Sequence, residues 1–174
     1  ATLTRPFTRC LTMKGSPITS DYSNSGMTLM DLSVSVRIVE APCKTKLNVP
    51  LEDFIGIVQQ GGAGAICMRA SGAGVTDSPA RLQELALEIA AANLPVTMVT
   101  ADYDVPLNNE DGPASLRNIR PSLDVAAAFN CDLIRVCMKK HDDIAFARQA
   151  ADLAAERGIR LAHQCHTTSL FEEV

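Results

Sequence analysis

The run Gly158-Ile-Arg-Leu-Ala-His-Gln-Cys-His-Thr-Thr168 (GIRLAHQCHTT) changes character half-way along its length. Its first half is apolar enough for a short buried strand, and its second half is polar. Two of the three histidines of the chain, His163 and His166, lie here on either side of Gln164. In proteins of alternating strands and helices, ligands bind at the carboxyl ends of the parallel strands. The run therefore predicts a buried strand that leads into a binding site.

The same change from apolar strand to polar loop recurs along the chain. Strands are predicted to begin near residues 34, 65, 96, 132 and 159, about 27 to 36 residues apart, with helical segments between them. The first strand is expected to cover residues 34–39. Pro121 either kinks one helix over residues 113–130 or lies near the start of a shorter helix. Such alternation predicts an α/β fold with a parallel sheet and right-handed crossovers.

Two architectures fit five strand–helix units. They form either a complete five-stranded doubly wound sheet or roughly the first five units of a (β/α)8 TIM-type barrel. The barrel is favoured because no strand precedes a phosphate-binding glycine motif; the glycine-rich stretch 61–64 precedes a strand instead. Polar residues end all five strands, and Arg37, Arg69 and Arg135 lie in or at the ends of three of them. An open set of barrel strands has unpaired edges, which favours a homo-oligomer over a stable monomer.

Composition excludes several classes of function. With 47% hydrophobic residues in 174, the chain can bury a sizeable core, and its net charge of −4 without a basic stripe argues against nucleic-acid binding. No segment reaches the roughly 20 apolar residues of a membrane span. The six cysteines include no C-x-x-C pair and suggest neither a disulfide framework nor a zinc ribbon. We therefore expect a cytoplasmic protein without a membrane or nucleic-acid partner.

Residues 1–31 differ from the rest of the chain. Thr, Ser, Gly and Pro dominate them, and they lack an apolar period. The expected organisation is a disordered or non-native leader over residues 1–31, followed by one α/β unit over residues 32–174.

The run from Gly158 to Glu172, the strand Asp132–Met138 and the pair Val36-Arg37 together resemble the sugar phosphate isomerase/epimerase family, the xylose isomerase-like TIM barrels. The resemblance implies that the chain is the amino-terminal portion of such a barrel. It also implies a divalent metal, Mn²⁺ or Mg²⁺, at the mouth of the barrel. In this family a Glu ends the fifth strand as a metal ligand; Gln164 occupies that position here, and His166 matches the histidine that follows. Gln brings no charge to a hard cation, so weaker metal binding is expected.

The resemblance further implies an isomerase or epimerase that transfers a proton next to a carbonyl of a sugar, sugar phosphate or related polyol or keto acid. The arginines could bind a substrate carboxylate or phosphate in bidentate fashion, or they could pair with Glu40, Asp102 or Asp104 in the mouth of the barrel. Alternation along the fifth strand places Gln164 and His166 on one face and His163 on the other. The candidate substrate-binding residues are Arg37, Arg69, Arg135 and His166, and Gln164 is the candidate metal ligand. The alternative is an inactive, truncated or degenerate barrel.

Overall fold

The computed structural model describes residues 32–102, 113–165 and 169–172. The predicted leader, Asp104 and His166 lie outside these ranges. The elements in chain order are β1 (Ser33–Ser35), a 3₁₀ helix (Val36–Val39), α1 (Leu51–Gln60), β2 (Ala65–Arg69), α2 (Pro79–Ala91), β3 (Val96–Thr100), α3 (Ala114–Arg117), α4 (Arg120–Ala128), β4 (Leu133–Val136), α5 (Asp143–Ala155) and β5 (Arg160–His163). In the described part of the chain, no helix has both the length and the apolar character needed to cross a membrane.

The five strands form one parallel sheet in the order β1-β2-β3-β4-β5. A doubly wound sheet reverses its strand order at a switch point, and this sheet does not. With right-handed crossovers, an unreversed order places every connecting helix on the same side of the sheet, which is the arrangement of a barrel wall. The TIM-barrel prediction is therefore confirmed over these five units, and the doubly wound alternative is wrong.

The hydrophobic core lies between the helices and one face of the sheet, here called the outer face. Successive strands contribute in-register residues to this face: Met68 pairs with Val99, and Val99 pairs with Ile134. All three side chains are almost fully buried in the core cluster. Helix α2 shows how the sequence builds this layer: the Ser78 hydroxyl caps its start, and Leu85 contributes to its buried side. The opposite, inner face of the sheet is the face that would line a barrel.

The first strand is shorter than the sequence predicted. It covers Ser33–Ser35, and residues 36–39 form a 3₁₀ helix instead of continuing the strand. The Ser35 hydroxyl accepts a hydrogen bond from the Arg37 backbone N–H at 3.2 Å. This local side-chain bond competes with the ladder of a strand and turns the chain. Near Pro121 the second alternative is confirmed, because α3 ends before α4 begins and Pro121 lies in the first turn of α4.

Two leucines of α2 provide a matched test of this core. The Leu85 side chain is 2% exposed, whereas that of Leu87 is 65% exposed. Leu85→Ala should lower the free energy of unfolding by about 2–5 kcal/mol, because it leaves a cavity in the core. Leu87→Ala should change it by less than about 0.5 kcal/mol, as expected for a surface position. Urea denaturation measures both values; equal losses would contradict the assignment of the buried side of α2.

Candidate functional site

Each of the five strands has a polar residue at its carboxyl end, either in its last position or in the segment that follows. We call this set the mouth; in strand order it comprises Glu40, Arg69, Asp102, Lys139 and Gln164. Parallel strands in a barrel wall deliver their carboxyl ends to the same rim, which is where active sites of such barrels are built. The mouth is therefore the candidate functional site.

A buried ion pair joins the first two members of the mouth. The Arg69 Nε atom lies 2.5 Å from Glu40 Oε1, and the two side chains are only 3% and 4% exposed. The Ser71 hydroxyl donates to the same carboxylate oxygen at 2.6 Å. For Arg69, the structure thus supports the alternative in which a mouth arginine pairs with a carboxylate of the chain. The pair fixes the segment after β1 against the end of β2.

A row of in-register residues crosses the inner face from Arg69 through Thr100 to Arg135. In-register neighbours on parallel strands place their side chains on the same face of the sheet. Arg135 is half-buried, and burial is the main cause that lowers the pKa of its guanidinium. The nearby charges of Arg69 and Arg37 lower this pKa further. Within the described ranges, no carboxylate forms an ion pair with Arg135.

The structure places Arg37 apart from this row. Its side chain is exposed on the 3₁₀ helix, whereas the sequence placed it within the first strand. The turn that Ser35 initiates removes it from the ladder of the sheet. Its charge nevertheless acts on Arg135, so it contributes to the positive potential of the mouth.

Asp102 follows β3 in a largely enclosed position. Its carboxylate accepts a short hydrogen bond from the Ser115 hydroxyl at the start of α3. Burial raises the pKa of the Asp102 carboxyl, although the hydrogen bonds from Ser115 and the charge of Lys139 oppose the shift. A carboxyl group with a raised pKa at the end of a barrel strand is a candidate for proton transfer.

His163 ends β5, and Gln164 follows it directly. His163 pairs in register with Val136, a core residue, and its ring contacts Phe171 edge-to-face at 5.5 Å between centroids. Its Nδ1 accepts from the Met138 backbone N–H at 3.2 Å, and burial lowers its pKa. The prediction that His163 packs behind the sheet is confirmed. Gln164 is half-buried, and its backbone N–H donates to Val136.

The residues that the structure describes do not complete a metal site. Over residues 32–102, 113–165 and 169–172, no group of three or more His, Cys, Asp or Glu side chains could hold a metal ion. Gln164 offers one neutral oxygen, and a hard divalent cation requires several oxygen ligands that include carboxylates. Gln164 alone therefore does not constitute a metal centre.

A surface cleft of about 260 Å³ lies far from the mouth. It is bounded by Ile89, Leu94, Val96 and Phe129, at the amino end of β3. In barrels of this kind the amino ends of the strands serve stability, whereas the carboxyl ends carry the chemistry. The cleft is therefore no candidate for the active site.

Thr100 and Ser115 are polar residues near the mouth that were not identified from the sequence. Thr100 ends its strand at the same position as Arg69 in β2, so strand alignment could have identified it. Ser115 contacts Asp102 across 13 positions of the chain, and no local pattern in the sequence predicts that contact.

Several solved structures are similar to this fold. One is a xylose isomerase-like TIM barrel protein from Mycobacterium smegmatis in complex with magnesium (TM-score 0.58, 15% identity, 76% of this chain and 54% of that one). Another is D-psicose 3-epimerase in the presence of D-fructose (TM-score 0.55, 17% identity, 76% and 51%). A third is a sugar phosphate isomerase/epimerase from Parabacteroides distasonis (TM-score 0.53, 8% identity, 81% and 53%).

These similarities establish the fold of the chain. It has the xylose isomerase-like TIM-barrel fold over its five described strands, and it spans about half the length of the structures that it matches. No known protein-family model matches the sequence. No curated protein matches it either.

The buried ion pair of the mouth gives a test by comparison with an exposed one. Glu40→Ala should lower the free energy of unfolding by about 3–5 kcal/mol, because Arg69 loses this buried carboxylate partner. Glu84→Ala removes the acid of an exposed pair with Arg81, whose side chains are 50% and 66% exposed, and should cost no more than about 1 kcal/mol. Urea unfolding at neutral pH measures the difference. Similar small losses for both variants would contradict the structural role of Glu40.

Proposed function

We propose that this chain forms part of a metal-assisted isomerase or epimerase that acts on a sugar, sugar phosphate or related polyol or keto acid. Its reaction is proton transfer next to a carbonyl group. The observation that carries the proposal is the polar mouth at the carboxyl ends of a xylose isomerase-like barrel wall, the fold of the epimerase and isomerase structures above. The mouth contains cationic, carboxyl and amide groups that suit a small, oxygen-rich substrate.

The proposed roles follow from the environment of each residue. Arg37 and Arg135 would bind the substrate, and His166, which lies outside the described residues, stays a proposed substrate contact. Arg69 would act mainly by holding Glu40 in place, because the two form a buried pair. Asp102 is the proposed proton-transfer group, since a carboxyl with a raised pKa keeps its proton nearer neutral pH than an exposed one.

A metal is proposed at the mouth, with Gln164, directly after β5, as one of its ligands. When bound, a divalent metal would polarise the oxygens next to the carbon that exchanges its proton. Because the described residues do not complete a site, its charged ligands would have to come from elsewhere in the protein. The chain's own residues bind and orient the substrate and exchange its proton.

The proposal also covers the binding partner, the oligomeric state and the location of the protein. The partner would be a small-molecule carbohydrate, and the protein would form a homo-oligomer. A cytoplasmic location is supported by the cysteines of the described part of the chain, all of which are free.

The test is deuterium exchange catalysed by the polypeptide that the complete reading frame encodes. In D₂O with a ketose and Mn²⁺, NMR should show deuterium appearing at the carbon next to the carbonyl, and EDTA should stop it. Asp102→Asn should slow exchange by about 100-fold or more, as expected for loss of a general acid–base group. Asp132→Asn, at an exposed ion pair before β4, is the matched control and should leave the rate unchanged.

A stability measurement distinguishes a loss of deuterium exchange in Asp102→Asn from unfolding of the variant. Because burial raises the pKa of Asp102, the fold favours its neutral form, and the stability that this gives is lost as the pH rises through the raised pKa. The neutral Asn variant should therefore be as stable as the parent at neutral pH. A reading frame that stops after Val174, together with no exchange, would support the inactive-barrel alternative instead.

A further inference from the structure

In the part of the chain that the structure describes, the inner face of the sheet carries more positive charge than its ion-paired carboxylates balance. Glu40 is committed to Arg69 by a buried ion pair. Arg135 lies two strands away in the same row, is half-buried, and is close enough to Arg69 and Arg37 for their charges to lower its pKa. Neither Arg37 nor Arg135 forms an ion pair with any carboxylate of the described ranges. Partly burying a guanidinium beside like charges is costly unless an anion compensates it.

A second, independent feature lies in the same row. Thr100 is 5% exposed, and its Oγ1 atom has no hydrogen-bond partner among the described groups. It is in register with Arg69 on one side and Arg135 on the other. A buried hydroxyl without a hydrogen-bond partner is unfavourable, so such a group needs an explanation, and a ligand that binds there is one. This hydroxyl can donate to an acceptor placed beside Arg135.

We propose that Arg135 and Thr100 form an oxyanion-binding subsite on the inner face of the sheet, with Arg37 adding long-range attraction. The subsite takes the anionic end of the substrate, either a phosphate ester or a carboxylate. Both present oxygens in the spacing that a guanidinium binds through two parallel hydrogen bonds, and both accept from a hydroxyl. Arg69 is not the main ligand, because Glu40 already neutralises it.

The inference deepens the proposed function by assigning the substrate an acidic group instead of a wholly neutral sugar. It rests on that function only for the identity of the molecule that carries the anion. Binding of a simple oxyanion needs neither metal nor turnover. The two claims can therefore fail separately.

The experiment titrates the full chain with inorganic phosphate and, in a second arm, with acetate. Both titrations are run without metal and at constant ionic strength set by chloride. Calorimetry and the rise of the unfolding temperature report binding, since a ligand of the folded state stabilises it. Saturable binding of either anion is expected, and the arm that binds more tightly identifies a phosphate ester or a carboxylate as the group recognised.

Substitutions test whether the anion binds at the row that contains Thr100 and Arg135. Arg135→Met should weaken the affinity at least tenfold, and Thr100→Val should weaken it several-fold while leaving the unliganded chain at least as stable. Arg160→Met is the control, because Arg160 lies in the neighbouring strand but is exposed and paired with Asp132 at 2.9 Å. It should leave the affinity unchanged within twofold.

Three results would overturn the proposal. Absence of saturable binding in both arms would show that the row is not an oxyanion site. Unchanged affinity in Arg135→Met or Thr100→Val would place the anion elsewhere. Equal weakening by Arg160→Met would show a general charge effect. Deuterium exchange by the encoded polypeptide in any of these cases would leave the proposed function intact while this inference fails.

Discussion

The buried ion pair between Glu40 and Arg69 is the interaction on which the mouth depends. It attaches the segment that leaves β1 to the carboxyl end of β2, and Ser71 adds a hydrogen bond from the following loop. The attraction between two buried charges exceeds the cost of their desolvation only when their geometry is good and further hydrogen bonds satisfy them. The pair therefore fixes one side of the mouth at a cost, and it determines which arginines stay available for a ligand.

The two faces of the sheet have different roles. The outer face is aliphatic and packs against the helices, so its residues stabilise the fold. The inner face carries Arg69, Thr100 and Arg135 in one row. Polar groups there do not contribute to the hydrophobic core, so we expect them to serve a binding site. Because side chains alternate along every strand, each strand supplies both faces at once. The barrel architecture therefore allows the same strands to supply both a polar mouth and a hydrophobic core.

Much of the fold could be predicted from the sequence, because it depends on repetition. Five apolar runs at a near-constant interval define the strands, and the polar residues after them define the mouth. The prediction failed where a single side chain determines the backbone conformation. Ser35 turns residues 36–39 into a 3₁₀ helix and moves Arg37 out of the strand. It also could not decide between ligand binding and internal pairing for each arginine. That choice depends on contacts such as Glu40 with Arg69, 29 positions apart in the chain.

Arg135 is a half-buried cation that has no carboxylate partner among residues 32–102, 113–165 and 169–172. The most direct measurement is the free energy of unfolding of Arg135→Met, compared with the parent, in chloride buffer free of phosphate and carboxylates. Met retains much of the apolar stem and removes the charge. We expect the variant to be as stable as the parent or more so, because an uncompensated charge is removed. A loss of about 3–5 kcal/mol, the cost of breaking a buried ion pair, would contradict it.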